Sequence, residues 1–156
     1  MTRVALVCLG NICRSPMADV VLEQKLADAG VDAVEVSSAG TGDWHVGEPM
    51  DRRAARTLSA AGYDPSRHRA QTFTAAWFDD QDLILVMDQA NRADVLALAR
   101  TAEDRAKVKM YRSYDPAAND PDAEVPDPWY GGPDGFTEVL AMVERTTAAL
   151  VTTLAP

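Results

Sequence analysis

Cys8 and Arg14 bracket the five residues Leu9-Gly10-Asn11-Ile12-Cys13, and Ser15-Pro16 follows at once. A thiolate is a strong nucleophile, and a guanidinium presents a planar fork of donors that matches the oxygens of a phosphate. Held together, the two can bind an oxyanion and attack it. The neighbouring residues say how they are held. Val4 to Leu9 is an apolar run that reads as a strand, Gly10 lets the chain turn and approach a ligand closely, and Asn11 tolerates left-handed dihedrals. Ser15 is a favourable helix N-cap and Pro16 suits a first helical position. Met17, Val20, Val21, Leu22 and Leu26 then form the apolar side of a helix that Gly30 stops. Strand, loop and helix in that order gather backbone N–H groups over a helix N-terminus, where anionic sulfur and phosphate are both stabilised. A cysteine pKa falls from about 8.5 to roughly 3.5 to 7.5 in such surroundings. The Ser15 hydroxyl is also within reach of the sulfur. A cysteine in a strand is more often a small buried hydrophobe, and an arginine at a helix start a solvated charge. The conjunction, and neither residue alone, points to phosphoryl transfer.

The elements that must position this loop alternate along the chain. Val34 to Ser38 reads as a second strand, Asp51 to Ala61 as a helix closed by Gly62, and Leu83 to Met87 as a fully buried strand. Gln89 to Arg100 reads as a helix, Lys107 to Tyr111 as a fourth strand, and Phe136 to Leu154 as a long final helix with Val139, Leu140, Val143, Leu150 and Leu154 inward. The expected fold is α/β, a four-stranded parallel twisted sheet with helices on both faces, in a single domain spanning 1–156. Ligands of such sheets sit beyond the carboxyl ends of the strands, which is where Cys8 falls.

Arg112 to Asp134 is rich in Pro, Gly, Asp and Asn, has no periodicity, and is long for a connection in a compact domain. Within it Asp127 precedes Pro128, which restricts it to extended backbone, and then Trp129-Tyr130, an aromatic pair able to pack the loop over a cleft. From the dipeptide alone, a plain turn is the simpler reading.

Composition sets limits on partners. The net charge of −9 argues against nucleic acid and anionic membranes. Eight acids and no Lys or Arg lie between Ser113 and Glu144, whereas Arg52, Arg53, Arg56, Arg67 and Arg69 cluster mid-chain. These are solvated faces, or in part a field that draws in an anionic phosphoprotein. Two cysteines without secretory context argue against a disulfide scaffold, and His45 and His68 are too few and too far apart for structural zinc, so no metal is expected. The apolar run Val4 to Leu9 is too short for a signal peptide and no stretch approaches membrane-spanning length. The expectation is a cytoplasmic monomer without membrane or nucleic-acid partners, with secretion lacking a signal left open.

The segment Val7 to Pro16 closely resembles the signature of the low-molecular-weight protein tyrosine phosphatases. Ser37 to Thr41, Met87-Asp88 and Asp127-Pro128-Trp129-Tyr130-Gly131 extend the resemblance over nearly the whole chain, and the spacing Ser37 to His45 is most similar to bacterial members of actinobacterial type. The resemblance implies hydrolysis of phosphotyrosine through a cysteinyl-phosphate, with a tyrosine-phosphorylated protein as substrate, inorganic phosphate as product and no cofactor. It implies Cys8 as nucleophile, Arg14 and the loop N–H groups from Leu9 through Gly10, Asn11, Ile12 and Cys13 as phosphate binders, and Asp127 as general acid and then base. Asn11 and Ser38 look like the braces of the loop, Ser15 assists the sulfur, and Trp44, Trp129 and Tyr130 look like walls for an aromatic ring. Each aromatic side chain is also readable as packing, evenly so for Trp44, whose Gly-Asp-Trp-His context favours an exposed loop. Asp88 either orients Arg14 or caps the next helix. Cys13 lies close enough to trap an oxidised Cys8 as a disulfide, which would make the enzyme redox-sensitive. Because Asp127 must carry a proton while Cys8 is ionised, turnover is expected to be fastest in mild acid. Related arsenate reductases relay oxidation through downstream cysteines, and none follows Cys13 here. Arginine-phosphate phosphatases of the family carry Thr where this chain has Ile12. An idle phosphopeptide-binding module is the remaining alternative, disfavoured by the joint presence of Cys8, Arg14 and Asp127.

Overall fold

The structure is a computed structural model that describes residues 1–156 apart from the side chains of Tyr130 and Pro133. Its centre is the strand β1 (Thr2–Cys8), where residues of alternate parity enter two separate cores. Val4, Leu6 and Cys8 point toward the helices α1 (Arg14–Asp28) and α6 (Pro133–Leu154); Ala5 and Val7 join Phe73, Phe78, Ile84 and Val95 on the other face. The nucleophile candidate therefore shares a face with α1, the helix whose first turn must meet it.

Around β1 lie β2 (Val34–Gly40), β3 (Leu83–Val86) and β4 (Val108–Met110), all parallel, in the order β2-β1-β3-β4. The chain leaves β1 toward one edge and returns from β2 to the opposite side. The carboxyl ends of β1 and β3 thus flank the switch point at which such sheets bind ligands. Helix α2 (Arg52–Ala60) is capped by Asp51, whose carboxylate accepts from the amides of Arg53 and Ala54. The short helix α3 (Trp77–Asp80) precedes β3, while α4 (Gln89–Leu96) and α5 (Ala102–Ala106) separate β3 from β4. No helix among the described residues is long and apolar enough to cross a membrane.

Several boundaries depart from the sequence pattern, each for a local reason. Gly30 ends α1 with φ +70°, as its position suggests, but the helix begins at Arg14 and Ser15 does not cap it. Ser15 is buried and turned toward Cys8 and Asn11, partners that a capping geometry would give up. Pro16 stands in the first turn, where a missing N–H has no intrahelical partner to lose. Leu9 lies outside β1 and is 41% exposed, because the chain already curls at Cys8. The helix expected over Gln89 to Arg100 stops at Leu96; beyond it Arg100 reaches back to Asp79 and Asp104, and Thr101 caps α5, a break that apolar spacing does not reveal.

The long segment after β4 is ordered by two anchors. Val125, fully buried, donates its amide to the Met87 carbonyl at the end of β3 (2.8 Å). Asp115, whose side chain is fully enclosed, accepts from Arg145 on α6 at 2.7 and 2.9 Å, from Arg112 at 3.0 Å and from the Ala117 amide. The Arg145 bonds chiefly, opposed by burial, hold its carboxyl well below the usual carboxylate range. Asp115→Ala leaves two guanidiniums without their acceptor and should cost about 3 kcal/mol. The folded-state pKa is depressed, so the stabilisation is in full force above the unfolded-chain value near 4 and fades as acid protonates the carboxyl. Thermal unfolding of wild type and Asp115→Ala should accordingly differ most at neutral pH and converge below about pH 4.

Candidate active site

The loop from Leu9 to Cys13 wraps around the Cys8 sulfur. Asn11 sits in the left-handed region (φ +57°), which turns its amide inward to donate to Cys8 Sγ at 3.3 Å. The Ser15 hydroxyl lies 3.0 Å from the same sulfur. The Asn11 side chain fixes this curl from inside. Its Nδ2 donates to Ser15 Oγ (2.8 Å) and Ser38 Oγ (3.0 Å), and its Oδ1 accepts from the Gln71 amide (2.9 Å). Its own carbonyl accepts from His68 Nε2 at 2.6 Å, and burial lowers the pKa of that imidazole, which favours the neutral ring that carries its proton on this nitrogen. Four residues of three different segments thus determine one asparagine.

Gly40 makes the close approach possible. A Cβ there would stand 2.7 Å from the Leu9 carbonyl oxygen and 3.1 Å from the Asn11 amide, so the end of β2 can lie against the loop only as glycine.

Arg14 is almost wholly buried at the start of α1. Its Nη1 donates to Asp88 Oδ2 at 2.7 Å and to the Val125 carbonyl at 3.0 Å, and its Nη2 lies 3.7 Å from Asp127 Oδ2. Burial works against the charge, yet Cys8, Asp88 and Asp127 outweigh it and keep the guanidinium protonated. With Nη1 engaged, the edge formed by Nε and Nη2 is what Arg14 can offer an oxyanion. Asp88 resolves the two readings of its role by serving both. Oδ1 caps α4 through the Asn91 amide (2.8 Å), and Oδ2 orients Arg14.

Cys8, Leu9, Gly10, Ile12, Cys13, Arg14, Trp44, His45, Asp127 and Trp129 line one cleft of about 300 Å³. Trp44, 68% exposed, and Trp129 stand at its mouth, while Asn11, Ser15, Ser38 and Asp88 lie behind the lining as supports. The Tyr130 side chain lies outside the described residues. Asp127 accepts from the Trp129 amide at 3.0 Å, which fixes its carboxylate at the rim above the buried Arg14. His45 is the lining residue that sequence reasoning missed. It packs over Gly10, pairs with Glu48 (2.5 Å) and tilts against the Trp129 ring. Its place beside Trp44 in a Gly-Asp-Trp-His loop was the available signal. Such a cleft, with a sulfur beside an amide and a hydroxyl, a guanidinium next to it and a carboxyl at the rim, has the parts for in-line transfer of a phosphoryl group.

A family model described as low molecular weight phosphotyrosine protein phosphatase matches residues 3–156. The chain belongs to that family. A low molecular weight protein-tyrosine-phosphatase of Streptomyces coelicolor is 47% identical over 150 residues, covering 96% of this chain and 91% of the relative. Low molecular weight protein-tyrosine phosphatase A of Mycobacterium tuberculosis is 43% identical, covering 94% and 88% respectively. Among solved structures, a protein tyrosine phosphatase of Entamoeba histolytica with Hepes in its active site superposes with a TM-score of 0.92 at 28% identity, covering 99% of this chain and 97% of the other. Within the family's fold, the loop joining β1 to α1 is the segment that brings Cys8, the inward-turned Asn11 amide and Arg14 together in this chain.

Proposed function

We propose that this low-molecular-weight phosphatase hydrolyses phosphotyrosine in proteins in two displacements at Cys8. The observation that carries this reading is the Cys8 sulfur itself, at the cleft floor with the Asn11 amide at 3.3 Å and the Ser15 hydroxyl at 3.0 Å. Both donors stabilise a thiolate and, later, the departing one. Cys8 attacks phosphorus in line, forming the S–P bond as the P–O bond to tyrosine breaks. The loop amides and Arg14 bind the three equatorial oxygens. Asp127 protonates the phenolate as it leaves, then takes a proton from the water that cleaves the S–P bond. That step releases inorganic phosphate and returns the thiolate.

The exposed aromatic rim favours an aryl ester, since Trp44 and Trp129 can grip a phenyl ring while its phosphate reaches the floor. A phosphoserine holds its phosphate on a shorter arm. Matched phosphotyrosine and phosphoserine peptides test this directly. The phosphotyrosine peptide should be hydrolysed at least about 10²-fold faster by kcat/KM, and comparable rates would overturn the reading.

Arg14→Lys is expected to keep a charge but lose the fork. One ammonium cannot meet Asp88, Val125 and two phosphate oxygens together, so kcat should fall by about 10²- to 10³-fold. Steady-state kinetics with phosphotyrosine would measure it.

The redox proposal concerns Cys13. Burial first, then the charge of Asp51, pushes its thiol pKa up, so it rests protonated and leaves the attack on phosphorus to Cys8. As a nearby thiol it can still resolve a Cys8 sulfenic acid, giving up its proton as its sulfur attacks, so that a disulfide forms with loss of water, slowly because little thiolate is present. Peroxide should inactivate the enzyme and dithiothreitol restore it. Cys13→Ala should recover less, and equal recovery would remove the protective role.

A further inference from the structure

Arg53, one of the mid-chain basic residues, turns back toward the cleft from the second position of α2. Its Nη1 donates to the Trp129 carbonyl at 3.1 Å, and Nε and Nη2 donate to the two carboxylate oxygens of Asp51, each at 3.2 Å. Its guanidinium carbon lies 5.1 Å from the centre of the Trp129 ring and 4.7 Å from that of Phe136. These partners belong to three different walls. Asp51 is tied to the phosphate-binding loop, because its amide donates to the Ile12 carbonyl at 2.9 Å. Phe136 is buried on α6. Trp129 belongs to the loop of Asp127, and its amide donates to Asp127 Oδ1 at 3.0 Å. One residue is therefore held at both ends, by the Asp127 carboxylate at its nitrogen and by Arg53 at its oxygen.

We propose that Arg53 is a positioning residue for the proton-transfer step. It fixes the Trp129 peptide relative to the phosphate-binding loop and thereby sets where the Asp127 carboxyl stands over the substrate oxygen. The inference rests on the reading of Asp127 as general acid. An Arg–Asp pair whose guanidinium is over a third exposed contributes little to folding. Proton transfer, in contrast, requires hydrogen-bond reach, and a misplacement of about 1 Å can cost on the order of 10²-fold. All three guanidinium nitrogens are engaged within the protein, which leaves Arg53 poorly suited to serve as a docking charge for an acidic peptide.

The test compares Arg53→Met, Asp127→Asn and the double variant on phosphotyrosine, a poor leaving group, and on 4-nitrophenyl phosphate, a good one. Inhibition by inorganic phosphate serves as a separate readout of the anion site. Arg53→Met should lower kcat/KM for phosphotyrosine by about 30-fold and for the nitrophenyl ester by no more than about 3-fold, with phosphate inhibition unchanged. In the Asp127→Asn background the same change should add almost nothing, because the group it positions is gone. Arg53→Lys should recover part of the loss. Equal losses on the two esters, weakened phosphate inhibition, or additive losses in the double variant would overturn the inference while leaving Asp127 in place. If Asp127→Asn itself lost activity equally on both esters, the general-acid reading would fall instead. Should Arg53→Met fold poorly, Asp51→Asn loosens the same fork while keeping the cap acceptor. It should then show the same leaving-group signature in weaker form, and its absence would equally overturn the inference.

Discussion

Cys8→Ser is expected to lose turnover on the order of 10⁴-fold or more while inorganic phosphate still binds within a few-fold of the wild-type affinity. The two halves of that result come from different atoms. A serine hydroxyl in this loop is not ionised and its oxygen is a poor nucleophile toward phosphorus, so bond formation fails. The proposed anion site, however, consists of backbone amides and Arg14, and Asn11 and Arg14 are held by Ser38, Gln71, Asp88 and Val125 rather than by the sulfur. Steady-state assays with a phosphotyrosine peptide measure the first half, and titration with phosphate measures the second. Retained turnover within about tenfold of wild type would mean that another group attacks.

The second large effect is expected at Asp127. Tyrosine leaves as a phenolate whose conjugate acid has a pKa near 10, so expulsion without a proton is slow. Asp127→Asn keeps the shape of the side chain and an oxygen that can accept from the Trp129 amide, yet has no acidic proton to give. We expect kcat/KM for phosphotyrosine to fall by about 10³-fold and that for 4-nitrophenyl phosphate by far less. The pH profile should change with it. The wild-type rate on phosphotyrosine should decline with rising pH, because expulsion of the phenol needs a proton on its oxygen, and that descending limb should disappear in Asp127→Asn. A limb that persisted in the variant would assign the proton to another group.

Much of this site was legible because it lies in one contiguous stretch. The turn at Asn11, the stop at Gly30 and the strand before Cys8 are local consequences of residue type, and spacing alone conveys them. What spacing could not convey was competition between partners. Ser15 has the chemistry of a cap but lies closer to a better use beside Cys8, and Asp88 has two oxygens and so fills two roles at once. The anchors of the long loop were hidden for a different reason. Val125 is one apolar residue in a polar stretch, and its importance comes from bonds to Met87 and Arg14, each far away in sequence. The fork of Arg53 on Trp129 spans 76 positions and belongs to the same class of contact. Pattern reading places residues on elements, whereas these contacts arise only after the sheet order brings the elements together.

The central claim is a covalent bond between Cys8 and phosphorus, and rapid acid quenching during phosphotyrosine turnover, followed by peptide mass analysis, tests it most directly. The mechanism predicts a transient species carrying one phosphoryl group on the peptide that contains Cys8, absent from Cys8→Ser. A phosphoryl group on any other residue, or turnover without any phosphoenzyme and with inverted stereochemistry at phosphorus, would contradict it.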